Sequence, residues 1–144
     1  MSQFPHHYSV SANAQTEGLV KLNGDNLPEI QSAPPTEFGG PGDQWSPEDL
    51  LVGAVADCFV LSFRAIAGMS KFEWVDLKAE VTGTLDKVER DIQFTEINVK
   101  AHLTIPAGAD ESRAQRLLEK AEATCFITNS LKAEPHLETT ITTA

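Results

Sequence analysis

Ser46-Pro47-Glu48-Asp49-Leu50-Leu51-Val52-Gly53-Ala54-Val55-Ala56-Asp57-Cys58-Phe59 is the stretch on which the fold turns. Ser46 is a good N-cap and Pro47 suits the first helical position, because its missing N–H would be unbonded there anyway. Glu48 and Asp49 complement the positive end of the helix dipole. The helix is expected to run to about Met69. It is apolar nearly all round, through Val60, Leu61, Phe63, Ile66 and Ala67. Such a helix must be covered on every side. A chain of 144 residues has little else with which to wrap it, so a second subunit is the economical cover. Asp57 and Arg64 interrupt the apolar run, which favours a buried helix over a membrane span.

On either side of this helix the pattern changes. Ser32 to Trp45 carries Pro34, Pro35, Gly39, Gly40, Pro41 and Gly42 and reads as a loop. Before it, Tyr8–Ala14, Leu19–Leu22 and Leu27–Ile30 read as short strands, with a turn at Asn23-Gly24. After the helix, Trp74–Leu85 and Phe94–Ile105 alternate apolar and polar residues. They are predicted as two half-buried antiparallel strands joined through Asp86–Asp91. An amphipathic helix is predicted from Asp110 to about Ala123, through Ala114, Leu117, Leu118 and Ala121. A helical turn over Cys125–Leu131 and a strand over Leu137–Thr142 follow. The order is α+β, in one domain spanning residues 1–144.

Composition narrows the function. With 41% hydrophobic and 22% charged residues the chain reads as globular. Eleven basic residues against 21 acidic ones give a net charge of −10. That balance argues against nucleic acid or an anionic membrane as partner, since both need clustered Lys and Arg. The N-terminus has Pro5, His6 and His7 where a secretion signal needs an apolar run, so a cytoplasmic location is expected. His6, His7, His102 and His136 show no ligand spacing, and no phosphate loop or hydrolase elbow is present. No metal or other cofactor is expected.

The two cysteines remain. Cys58 and Cys125 are 67 residues apart, which is no metal motif. Each taken alone reads as a small core hydrophobe. As the only pair, they are also available for a reversible disulfide. Glu48 taken alone reads as dipole compensation.

The Ser46–Phe59 run resembles the central-helix signature of the OsmC/Ohr family of thiol peroxidases: Ser/Thr-Pro-Glu-x-Leu-Leu, small residues, then Ala-x-Cys. Ala121-Glu122-Ala123-Thr124-Cys125-Phe126-Ile127-Thr128-Asn129-Ser130-Leu131 is similar to the family's second cysteine motif. The resemblance implies an intertwined homodimer, with long buried central helices wrapped by antiparallel sheets. It implies Cys58 as the peroxidatic cysteine, Cys125 as the resolving cysteine and Glu48 as an active-site carboxylate. The implied reaction is reduction of organic hydroperoxides, with hydrogen peroxide a second candidate, through a Cys58 sulfenic acid and a Cys58–Cys125 disulfide. An external dithiol would be the reductant. Glu48 and Cys58 lie about 15 Å apart along one helix axis, so a contact needs a kink or the partner's Glu48.

One feature departs from the family. Its peroxidases set an N-terminal arginine against the thiolate, whereas the first arginine here is Arg64, and Gln15 and Thr16 occupy the relevant segment. Without a replacement, burial is expected to hold the Cys58 thiol near or above its free value. The alternative reading is therefore an OsmC-like dimer with weak or no peroxidase activity, binding a small apolar or thiol-reactive ligand at its interface. A third is a structural dimer with inert cysteines.

Overall fold

Ser46 does cap the long helix. Its hydroxyl accepts from the Asp49 N–H at 3.0 Å and donates to the Asp49 carboxylate at 2.9 Å, and α1 runs from Pro47 to Met69. A computed structural model describes residues 3–144, in two compact units divided in sequence between Leu50 and Leu51.

In the first unit, β1 (Ser11–Asn13), β2 (Val20–Asn23) and β3 (Ile30–Ser32) form an antiparallel sheet in that order. The expected turn after Asn23 is present. Leu27 N–H donates to Gly24 O at 3.1 Å, and Asn26 takes φ 61°. The Pro/Gly segment is ordered by backbone bonds, including Ala33 N–H to Trp45 O at 2.8 Å. Gly40 is obligatory there, since a Cβ would stand 1.6 Å from Pro34 O.

In the second unit, β4 (Asp76–Val88) and β5 (Asp91–Ile105) form a long hairpin. Both strands run into the expected connection, leaving only Glu89 and Arg90 as the turn, with Glu89 at φ 58°. The inward residues Ile97, Val99, Ala101, Leu103 and Ile105 are all buried. α2 (Glu111–Ala123) follows, capped by Asp110, whose carboxylate accepts from the N–H groups of Ser112 and Arg113. It buries the predicted stripe of Ala114, Leu117, Leu118 and Ala121.

The closing strand β6 (Pro135–Thr143) corrects one expectation. It pairs with β5 in parallel, Val99 opposite Leu137, so this sheet is mixed rather than antiparallel. The physical reason lies in the connection. A chain leaving the end of β5 through a helix returns to the start of that strand, and a parallel neighbour requires such a crossover.

α1 packs on this sheet with one stripe only. Val55, Phe59, Phe63, Ile66 and Ala67 are buried at spacings of three and four, beside Phe72 and the inward face of β5. The approach is close at Gly83, where an added Cβ would meet both Val52 and the Phe94 ring at 2.9 Å. The remaining apolar side of α1 is uncovered within the single chain: Leu61 is 48% exposed and Met69 78%.

Candidate active site

Cys58 lies one position before buried Phe59, and so is turned out of the core stripe of α1. It is half-buried. Opposite it stands the turn that leaves α2. Thr124 ends that helix, its hydroxyl donating to Lys120 O at 2.8 Å. Cys125 is buried, and the residues after it are held by their own side chains. Thr128 Oγ1 donates to Cys125 O at 3.2 Å, Asn129 Nδ2 to Ala123 O at 3.3 Å and Ser130 Oγ to Phe126 O at 2.8 Å. Short polar side chains close such turns by substituting for helical backbone bonds. The expected helical turn thus exists as a 3-10 turn over Thr128–Ser130.

The turn sets the chemistry of Cys58. Burial pushes its thiol up, but hydrogen bonds outweigh burial and leave it below the ordinary value. The donors are the Ile127 N–H, the Cys125 thiol, the Ser62 hydroxyl and the Phe126 N–H. Ser62 Oγ lies 3.8 Å from the sulfur. Cys125 moves the opposite way. Burial raises its thiol, the hydroxyl and N–H of Thr128 oppose that, and the neighbouring Cys58 adds to the rise. The thiol that gains donors favours the thiolate, and its neighbour holds the proton. The expectation of a thiol at its free value applied only without a replacement for the arginine, and neutral donors take that place. Two backbone N–H groups, a hydroxyl and the Cys125 thiol supply the donors, and among the described residues no guanidinium joins them.

Of the three candidate residues, the structure brings Cys58 and Cys125 together. Glu48 lies in the first turn of α1. Its Oε1 is buried without a hydrogen-bond partner among the described residues, and its carboxylate is not among the groups acting on Cys58.

Cys58 opens onto a groove of about 520 Å³ lined by Ala54, Leu61, Ala65, Ile66, Phe126 and Ile127, with Asp57, Ser62 and Thr124 as its polar members. Reading the sequence did not single out Ser62, although it lies four residues from Cys58 and hence on the same helix face. The N–H groups of Phe126 and Ile127 have no sequence signature, because every non-proline residue carries one. Among the described residues, no cluster of His, Cys, Asp and Glu is arranged to hold a metal ion.

Residues 40–140 match the family model of OsmC-like proteins. The chain is 26% identical to uncharacterized protein YmaD of Bacillus subtilis over 138 residues, 92% of this chain and 91% of that protein. It is 31% identical to peroxiredoxin OsmC of Escherichia coli over 93 residues, 65% of this chain and 64% of that protein. Identity to an organic hydroperoxide resistance protein of Xanthomonas axonopodis pv. citri is 26% over 141 residues, 93% and 91% of the two chains. An OsmC-like protein of unknown function from Vibrio cholerae superposes with a TM-score of 0.86 at 16% identity, covering 94% of this chain and all of that one. The chain belongs to the family of OsmC-like proteins.

Proposed function

We propose that the protein is a cytoplasmic, homodimeric thiol peroxidase that reduces organic hydroperoxides. The Cys58 thiolate attacks the terminal peroxide oxygen. The O–O bond breaks, the alkoxide leaves and takes up a proton as the alcohol, and Cys58 becomes a sulfenic acid. The Cys125 thiol then attacks that sulfur, releasing water and forming the Cys58–Cys125 disulfide. An external dithiol exchanges with the disulfide and is itself oxidised, which restores both thiols. No cofactor takes part.

One observation carries this reading: Cys58 opens onto an apolar groove with Ser62 Oγ 3.8 Å from its sulfur and the buried Cys125 thiol among its hydrogen-bond partners. A nucleophile needs the thiolate, and a resolving thiol needs proximity. The dimer is supported by the uncovered apolar side of α1, and the substrate class by the hydroperoxide resistance protein among the relatives. The test is consumption of cumene hydroperoxide with dithiothreitol as reductant. Wild type is expected to turn over and Cys58→Ser to lose all activity above background. Equal rates for the two would overturn the proposal.

A second reading, ligand binding without peroxidase activity, is favoured by the lack, among the described residues, of a cation acting on Cys58. A silent peroxidase assay together with a thermal shift on adding a small apolar ligand would support it.

A further inference from the structure

We propose that the groove beside Cys58 selects uncharged organic hydroperoxides and turns away those that carry a carboxylate close to the peroxide. This rests on the reading of Cys58 as the reacting thiol and names the substrate class of that site.

The groove offers an organic tail an apolar wall, with Leu61, Ile66, Phe126 and Ile127 as its larger members. Its volume of about 520 Å³ falls in the range of small-molecule sites. The one charged side chain among its described lining residues is Asp57, next to Cys58 in sequence. Ser62 and Thr124 are neutral, and no Lys or Arg is among the described residues that line it. A ligand carboxylate placed there would leave water without gaining a cationic partner, which is costly. It would also lie near two like charges, the Asp57 carboxylate and the Cys58 thiolate. The net charge of −10 adds long-range repulsion. A neutral tail meets none of these penalties. Hydrogen peroxide is neutral too, but it lacks the tail from which the wall would gain.

Alkylation of Cys58 tests this without any peroxide. Iodoacetamide is neutral and iodoacetate anionic, and both displace iodide. The ratio of their rates at Cys58, located by peptide mass spectrometry, therefore cancels the fraction of thiolate. The reference is the same ratio for N-acetylcysteine amide. Wild-type protein is expected to exceed that reference by about three- to tenfold, as one nearby like charge implies for a partly screened site. Asp57→Asn is expected to bring the ratio back towards the reference. A wild-type ratio equal to the reference, or a ratio unmoved by Asp57→Asn, would overturn the proposal. A measurement that needs no variant uses the cationic trimethylammonium and anionic sulfonate methanethiosulfonate reagents on wild type. Cationic preference above that of the small thiol supports the proposal, and equality overturns it. A Cys58 that reacts with none of the four reagents would instead refute its role as the reacting thiol, and this inference with it.

Discussion

Ser62 Oγ lies 3.8 Å from Cys58 Sγ, one turn further along the same helix. With the N–H groups of Phe126 and Ile127 it forms the donor set that keeps this thiol below its ordinary value despite burial. Alkylation of Cys58 should therefore show a pH midpoint below that of a free thiol measured alongside it. Ser62→Ala should raise the midpoint, because a donor to the charged form is lost, and Ser62→Thr should restore it. The lowered pKa also stabilises the fold in one direction only. The contribution is present above the unfolded thiol's pKa and is lost as pH falls through the folded one. A wild-type midpoint at or above that of the free thiol would contradict this donor set.

Disulfide formation is the next expectation. Cys125 is buried and faces Cys58. One equivalent of cumene hydroperoxide should convert reduced protein to an intrachain Cys58–Cys125 disulfide, seen as one linked peptide pair in non-reducing mass spectrometry. In Cys125→Ser nothing resolves the sulfenic acid, so excess peroxide should drive Cys58 to the sulfinic and sulfonic acids. Linked dimers in wild type would argue against the intrachain route.

Ser46 and Pro47 made the start of α1 legible, and alternation fixed the inward faces of β4 and β5, because caps and periodicity are local signals. The direction of β6 was not legible, since alternation over Leu137–Thr142 is the same for either sense of pairing. The cysteine motifs pointed to Cys58 and Cys125, and the fold brings them together. The donors around Cys58 are not legible in the sequence, because a cationic side chain leaves a mark there and a backbone N–H group does not. Those groups belong to the turn that Thr128, Asn129 and Ser130 close with their own side chains.

Gly83 offers a test of packing alone. Its missing Cβ admits Val52 from the helix and the Phe94 ring from β5 at 2.9 Å. Gly83→Ala should destabilise by about 1–3 kcal/mol, the usual cost of overpacking. A thermal melt of unchanged midpoint would show that the ring gives way freely.

The uncovered side of α1 gives a hydrodynamic expectation. Leu61 and Met69 are 48% and 78% exposed in the single chain, and large exposed apolar faces mark interfaces. Sedimentation equilibrium at micromolar concentration should report twice the 15.6 kDa chain mass. A compact species of single mass would oppose the dimer.

Glu48 carries the last expectation. Its Oε1 is buried without a partner among the described residues, and burying an unpaired polar group costs stability. Dipole compensation in the first turn does not require that burial. A second protomer that brings this carboxylate to a reaction centre would account for it, since about 15 Å of helix separates Glu48 from Cys58 within one chain. Glu48→Gln keeps the shape and removes the charge. It is expected to lower kcat/KM for cumene hydroperoxide by about tenfold or more, in line with the loss of a positioned acid–base or electrostatic group. The melting midpoint should stay level or rise, because a buried neutral amide costs less than a buried carboxylate. Retained activity with a higher midpoint would reduce Glu48 to a helix-capping charge and remove it from the site.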